Sequence, residues 1–381
     1  MITFAPLKNL TELYTMSQAN VSNHETQFDV FAKVARYDHE QVLICQDNHT
    51  GLKAIIAIHN TVLGPGLGGT RMWKYATEAE AINDALRLSR GMTYKAAISG
   101  LNLGGAKAVI IGDPAKDKSE HLMRKFGRFV ENLGGKYVTA EDVGTTTKDM
   151  EYIKMETNHV VGLPEIMGGG GDPSPVTAYG VFMGLKASAK KAFGTDNLNG
   201  KKVAVQGAGK VGLHLMELLH KEGAIITATD IFESGLKIAA EKYGATIVKP
   251  EEIFDQAVDI FAPCALGAIL NTENINKLKC QVVAGAANNQ LEDENIHGDM
   301  IKAKGIYYAP DFLINAGGLI NVYSEYNGYV REIAFAQTEN IYNTVLNIYN
   351  KSEEDNINTQ IAAIKLAEKR IHDTMILQSK I

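Results

Sequence analysis

Three short, glycine-flanked segments each place an ionisable side chain that could do chemistry. They are Gly91-Met-Thr-Tyr-Lys95, Gly100-Leu-Asn-Leu-Gly104-Gly-Ala-Lys107 and Thr139-Ala-Glu-Asp142-Val-Gly144-Thr. Lys107 immediately precedes the apolar run Ala108-Val-Ile-Ile111, so it is expected at the mouth of a strand and partly desolvated. Desolvation disfavours the ammonium and lowers its pKa, which leaves an amine able to act as a general base near neutral pH. The same position also suits a lysine that snorkels to solvent. Asp142 reads either as a chemically active carboxylate or as the cap of a following helix, the commonest use of an aspartate there.

A second element must bring a reaction partner to these groups. Val203-Ala-Val-Gln-Gly207-Ala-Gly209-Lys-Val-Gly212 reads as a buried strand, a tight glycine turn and the start of a helix. Val211, Leu215, Leu218 and Leu219 mark one face of that helix. Ile225-Ile-Thr-Ala-Thr-Asp230 reads as the next strand with an acid at its tip, 23 residues after Gly207. This order is what a dinucleotide needs, with the pyrophosphate on amides at the helix N-terminus and the acid on the adenine ribose. Gly207, Ala208, Gly209, Lys210, Val211, Gly212 and Asp230 are therefore candidate cofactor-binding residues. Asp230 and Glu233 would repel a 2′-phosphate and no Arg or Lys lies between them, so NAD is expected rather than NADP. The rival reading is an ordinary glycine turn in a doubly wound sheet.

The rest of the chain supplies the frame. Strands are expected at 42–46, 52–59, 108–111 and 137–139. Thr77 and Glu80 suit a capping box that opens a helix with Ala81, Ala85 and Leu88 inward. A further helix is expected over 119–133. The 36 glycines cluster, as at 64–69, 100–105, 168–171 and 207–212, and read as turns where backbone passes close to something. Residues 164–174 form a linker, with Ser174 as N-cap and Pro175 at the first helical position of a helix to about Phe193. Strands and helices then alternate to about Val322. Amphipathic helices are expected over 331–349 and 359–377, either capping the second unit or crossing back to the first. The fold class is α/β with two domains: residues 1–163, and a Rossmann-type doubly wound domain over 164–349, with the helices of 350–381 free to return to the first.

A length of 381 residues, 45% hydrophobic and 22% charged, suits a globular two-domain chain. A net charge of −6 argues against a nucleic-acid partner. No apolar run approaches a membrane span and residues 1–10 show no leader pattern, so a soluble, cytoplasmic protein is expected. Cys45, Cys264 and Cys280 are scattered, which suits a reducing compartment. No histidine or cysteine spacing suggests a metal, and none is expected.

Taken together the chain resembles the superfamily of glutamate, leucine, valine and phenylalanine dehydrogenases, nearest its leucine and branched-chain members. The resemblance runs through Leu67-Gly-Gly-Thr-Arg71, Gly91-Met-Thr-Tyr-Lys95, Leu103-Gly-Gly-Ala-Lys107 and Thr139-Ala-Glu-Asp142-Val-Gly-Thr145. It continues through Asp172-Pro-Ser-Pro-Val-Thr-Ala-Tyr179, Ala262-Pro-Cys-Ala-Leu-Gly267, Ala287-Asn-Asn-Gln290 and Asn315-Ala-Gly-Gly-Leu-Ile-Asn321. It implies that Lys95 binds the substrate α-carboxylate, that Lys107 is the catalytic lysine and that Asp142 shuttles protons at the substrate nitrogen. It implies that Gly68, Gly69 and Met92 lie near the substrate, that Leu319 and Val322 line its side-chain pocket, and that Thr177 and Asn288 hold the nicotinamide end of NAD. It also implies a homo-oligomer whose first domain serves substrate binding and oligomerisation.

The implied reaction is oxidative deamination of a branched-chain amino acid to a 2-oxo acid and ammonia, and its reverse. Two alternatives are a phenylalanine enzyme of the same family and an NAD-binding protein without turnover. A hydroxy-acid dehydrogenase would want a His–acid pair, which does not stand out here.

Overall fold

The computed structural model describes residues 29–326 and 328–379. The stretch 1–10, read above for a leader, lies outside them. The chain forms two sheets. The first is ordered β1-β2-β4-β3-β5. Its strands are β1 Gln41–Asp47, β2 Leu52–Asn60, β3 Gly66–Trp73, β4 Gly104–Ile111 and β5 Tyr137–Glu141. β2 runs antiparallel to β1 and β4, whereas β3 is parallel to β4 and β5.

Residues of β2 and β4 alternate between two buried faces. Ile56, Ile58, Ala106, Ala108 and Ile110 pack on Met123 and Phe126 of the Glu120–Glu131 helix. Ile55, Ala57 and Val109 pack on Ala81, Ile82, Ala85 and Leu86 of the Glu78–Ile98 helix. Helices on both faces explain why these strands are apolar nearly throughout. The inward stripe of the second helix is Ala81, Ile82, Ala85, Leu86 and Ser89; Leu88, expected inward, is only partly buried.

Three expectations need correction here. Residues 66–69 form the start of β3, where a turn was expected. Glycine is a poor strand former, but a Cβ on Gly68 would lie 1.7 Å from the carbonyl oxygen of Ala106, so close approach demands it. β4 begins at Gly104, so Lys107 sits inside a central strand instead of at its mouth. At the Glu78–Ile98 helix, Thr77 accepts from the amide of Glu80 at 3.1 Å as expected, but the Glu80 carboxylate reaches the amide of Ala76.

The second sheet is ordered β11-β10-β9-β6-β7-β8 and is parallel throughout. Its strands are β6 Lys202–Gln206, β7 Ile225–Thr229, β8 Thr246–Ile247, β9 Ile260–Pro263, β10 Val282–Val283 and β11 Tyr307–Tyr308. The strand order reverses at β6, with β7 on one side and β9 on the other. Such a switch point leaves a crevice beyond the carboxyl ends of the strands.

The joining segment also departs from expectation. Ser174 is the first residue of the Ser174–Phe193 helix and makes no side-chain cap. Its amide donates to Asp172 Oδ1 at 2.9 Å, so Asp172 supplies the capping oxygen. Glu325 closes the segment from the other side, its carboxylate accepting from the amides of Gly162 at 2.6 Å and Gly170 at 2.9 Å. The helix expected over 331–349 is two, Arg331–Glu339 and Ile341–Glu354, broken at Asn340. The Thr359–Gln378 helix crosses back to the first half: Arg370 donates to the carbonyls of Ala97 and Leu101 at 3.0 and 2.7 Å, satisfying the open end of the Glu78–Ile98 helix. No helix among the described residues is long and apolar enough to cross a membrane.

Candidate active site

Alternation along β4 puts Lys107 on the face of Val109, the face the Glu78–Ile98 helix covers. That helix carries Lys95 in its last turn. Lys107 is 5% exposed, and its Nζ donates to Asp142 Oδ2 at 2.5 Å. Burial pushes the Lys107 amine below its ordinary range, and Asp142 only partly restores it. Burial alone would raise the carboxyl of Asp142, but Lys107 and Arg71 outweigh it and hold the group ionised.

The chain brings Asp142 here through a tight turn after β5. Thr145 Oγ accepts from the Asp142 amide at 2.9 Å, and Met72 donates its amide to the carbonyl of Val143 at 2.9 Å, which ties the turn to β3. A Cβ on Gly69 would lie 2.4 Å from the carbonyl oxygen of Glu141 and 3.0 Å from the Cβ of Asp142, so glycine there permits the approach. The helix that follows, Thr147–Lys154, is capped by Thr146 with Asp149. Asp142 is therefore no cap, and that alternative is settled by geometry.

Lys95 reaches across to the second half of the molecule. Its Nζ donates to Asn315 Oδ1 at 2.6 Å. Asn315 is 5% exposed and in turn donates to Asn288 Oδ1 at 2.7 Å and to the carbonyl of Ala286 at 3.0 Å. Burial lowers the Lys95 amine to about 8; Asp311 draws it upward and Lys107 draws it down. Arg71 adds a further like charge that lowers Lys107. Asp311, buried one helical turn before Asn315, accepts from the amide of Gln290 at 2.7 Å, and burial raises its carboxyl to about 6.

Leu319 is buried in one cluster with Leu67 and Ala140, and Met92 and Val322 pack against it. Thr177 lies in the first turn of the Ser174–Phe193 helix, its Oγ donating to the carbonyl of Pro173 at 2.9 Å, and faces Gly318.

The glycine turn stands at the switch point. Gly207 has φ 111°, a conformation side chains rarely adopt, and a Cβ on Gly212 would lie 2.1 Å from the carbonyl oxygen of Gly207. Gly209 caps the Lys210–Lys221 helix with backbone alone, leaving first-turn amides free of intrahelical partners. Asp230 follows β7 and accepts from the amides of Ala208 at 2.6 Å and Phe232 at 2.9 Å. The residues present thus fit a dinucleotide: a close-packed turn, unpaired amides and an acid at the strand tip. Lys210 does not turn its side chain to this site. It is exposed and pairs with Asp172 at 2.9 Å, so only its backbone and that of Val211 border the turn.

Sequence reasoning missed Arg71, Asn315 and Asp311. Arg71 and Asn315 stood at the ends of motifs already singled out, and a polar residue closing an apolar motif was the available signal. Asp311 had none.

Comparison with known proteins points one way. Residues 39–159 match the dimerisation domain of the Glu/Leu/Phe/Val dehydrogenases, and residues 168–231 and 230–379 match the Glutamate/Leucine/Phenylalanine/Valine dehydrogenase family model. The chain is 57% identical to leucine dehydrogenase of Bacillus cereus over 343 residues, covering 90% of this chain and 93% of that one. It is 56% identical to leucine dehydrogenase of Thermoactinomyces intermedius over 342 residues, with 90% and 93% covered. The crystal structure of L-tryptophan dehydrogenase from Nostoc punctiforme superposes with a TM-score of 0.83 at 47% identity, over 91% of this chain and 100% of that one.

Proposed function

Because the chain belongs to the Glu/Leu/Phe/Val dehydrogenase family, we propose that it carries out NAD-dependent oxidative deamination of branched-chain L-amino acids, and the reverse reductive amination. It is an oxidoreductase acting on a CH–NH2 group. The observation that carries the reading of its site is the desolvated Lys107–Asp142 pair, within electrostatic reach of Lys95.

In this reading Lys95 holds the substrate α-carboxylate, exchanging its bond to Asn315 for a charged one. Lys107, neutral at the moment of reaction, takes a proton from the water that adds to the substrate carbon. Asp142 carries protons to and from the substrate nitrogen as ammonia leaves. Gly68 and Gly69 let the substrate lie against β3. Gly207, Ala208, Gly209, Lys210, Val211 and Gly212 would hold the pyrophosphate by backbone, Asp230 the ribose, and Thr177 and Asn288 the nicotinamide end. When bound, NAD accepts the hydride from the substrate Cα; that chemistry belongs to the cofactor. Closing protein around these groups contributes proximity and excludes bulk water.

Branched aliphatic substrates are favoured because Met92, Leu319 and Val322, the side chains the family resemblance assigns to the pocket, are all apolar. The relatives named leucine dehydrogenase are also nearer in sequence than the tryptophan enzyme. Phenylalanine is the second reading, since an aromatic ring meets the same lining and only cavity shape discriminates. A binding protein without turnover would have no use for the buried lysine–aspartate pair. The division into residues 1–163 and 164–349, a homo-oligomeric assembly through the first domain, and a cytoplasmic location with free Cys45, Cys264 and Cys280 belong to the same proposal.

The test follows formation of reduced nicotinamide with NAD or NADP and a panel of L-leucine, L-valine, L-isoleucine, L-phenylalanine, L-glutamate and 2-hydroxyisocaproate. Turnover of the branched amino acids with NAD is expected. Turnover of the hydroxy acid alone, or of nothing, rejects the reading.

A further inference from the structure

Behind the Lys107–Asp142 pair, charges alternate in sign away from the substrate side. Arg71, on β3 beside Val109 of β4, directs Nε to Asp142 Oδ2 at 3.1 Å, the same oxygen that Lys107 contacts. Its Nη1 lies 2.8 Å from Asp84 Oδ2 on the Glu78–Ile98 helix. Tyr75 donates its hydroxyl to that oxygen at 2.7 Å, and Arg87 reaches the other oxygen of Asp84 at 3.0 Å. Arg71 and Asp142 are each 23% exposed in their side chains and Asp84 is 15% exposed, so these are partly desolvated pairs. Outward lies a cavity of about 640 Å³ that Lys33, Tyr37 and Glu80 also line. The buried Tyr137 and Lys95 also interact with Asp142, and Lys95 with Lys107.

The arrangement answers a need of the reaction proposed above, on which this inference rests. Lys107 must lose its charge to act as a base. A carboxylate left beside a neutral amine in this setting would be an uncompensated buried charge, and such charges are strongly destabilising. A second cation on the same oxygen removes the problem. We propose that Arg71 is a positioning residue for proton transfer: it fixes the Asp142 carboxylate against Lys107 and, by its charge, sets the pH at which the pair becomes competent. Arg71 works through Asp142, and Asp84 with Tyr75 fixes its far end.

Two effects of the Arg71 charge have the same sign. It favours the ionised form of Asp142 and disfavours the ammonium form of Lys107. Asp84 acts oppositely on Lys107, favouring the ammonium. Removing Arg71 therefore moves the rising limb of the deamination pH profile upward, and removing the Asp84 charge moves it downward.

The experiment measures kcat/KM against pH for L-leucine with saturating NAD, using full-length wild type, Arg71→Gln, Arg71→Lys and Asp84→Asn. NAD binding and circular dichroism verify the fold of each. Arg71→Gln should move the rising limb up by roughly one unit, the order of effect of a nearby like charge on an amine at an effective dielectric near 20, with activity regained at high pH. Arg71→Lys should return the limb close to wild type at a lower plateau. Asp84→Asn should give a smaller shift in the other direction, and it carries the test if Arg71→Gln does not fold. A lower plateau with an unmoved limb in Arg71→Gln, or an upward shift in Asp84→Asn, overturns the proposal. An inactive wild type instead overturns the functional reading itself.

Discussion

Lys107 Nζ stands 2.5 Å from Asp142 Oδ2, although one residue lies within β4, the other in the turn after β5, and 35 positions separate them. The amine is in the middle of a strand, where burial drives it below its ordinary value of 10.5. The neutral base is therefore present at lower pH than for a free lysine.

For Lys107→Ala, kcat should fall by about 10²- to 10⁴-fold, the usual contribution of a positioned general base. NAD affinity, measured by fluorescence titration, should be unchanged. In the wild type, kcat/KM for deamination should rise with pH and level off below 10.5, because activity appears as Lys107 gives up its proton. Lost NAD binding in a folded Lys107→Ala protein would show that the residue serves the cofactor instead.

Lys95→Met should act on substrate binding. Its ammonium is held toward Asn315 and is the proposed anchor of the α-carboxylate. Losing a charged hydrogen bond costs about 1.5–3 kcal/mol, which corresponds to a roughly 10- to 150-fold rise in KM for the amino acid. Steady-state kinetics at saturating amino acid should show a much smaller change in the KM for NAD. An unchanged amino-acid KM would assign the anchor elsewhere.

Asp230→Ala should weaken NAD binding and raise the ratio of NADP to NAD turnover. The carboxylate at the tip of β7 is the feature that repels a 2′-phosphate, and Glu233 alone stands farther along. The variant also frees the amide of Ala208, so part of the loss reflects a looser glycine turn. Comparing kcat/KM for the two cofactors separates the effects, since loosening weakens both alike.

Stability should depend on a buried histidine pair. His39 and His59 meet edge to face at 4.8 Å between ring centroids. His39 contacts Ser89 Oγ at 2.8 Å and His59 contacts Thr93 Oγ at 2.8 Å, both on the Lys95 helix. Burial lowers each to about 4 from 6.5. Between those values the unfolded chain binds more protons than the folded one, so stability falls as pH falls through that window. Thermal melts from pH 7 to pH 4 should show Tm dropping, and His59→Gln should flatten the slope if it folds. A Tm independent of pH across the window would contradict a neutral pair.

Much of this could be read from the residues alone. The glycine turn, the acid at the tip of β7 and the helix between them were legible because each obeys a short-range rule of turn geometry or periodicity. β1, β2, β5, β6 and β7 were legible for the same reason. β3 was not, because its glycines answer to Ala106 and Glu141 across the sheet, and no local rule shows a neighbour strand. The break at Asn340 and the cap supplied by Asp172 lay beyond periodicity for similar reasons.

The sequence by itself determined the chemical inventory: two lysines and an aspartate in glycine-flanked settings, and a turn shaped for a dinucleotide. Only the tertiary structure decided their partners. Lys107 faces Asp142, Asp142 faces Arg71, and Lys95 faces Asn315, 220 positions away. Desolvation and charge pairing depend on distance in space, and chain separation carries almost no information about that distance until strands register and helices pack.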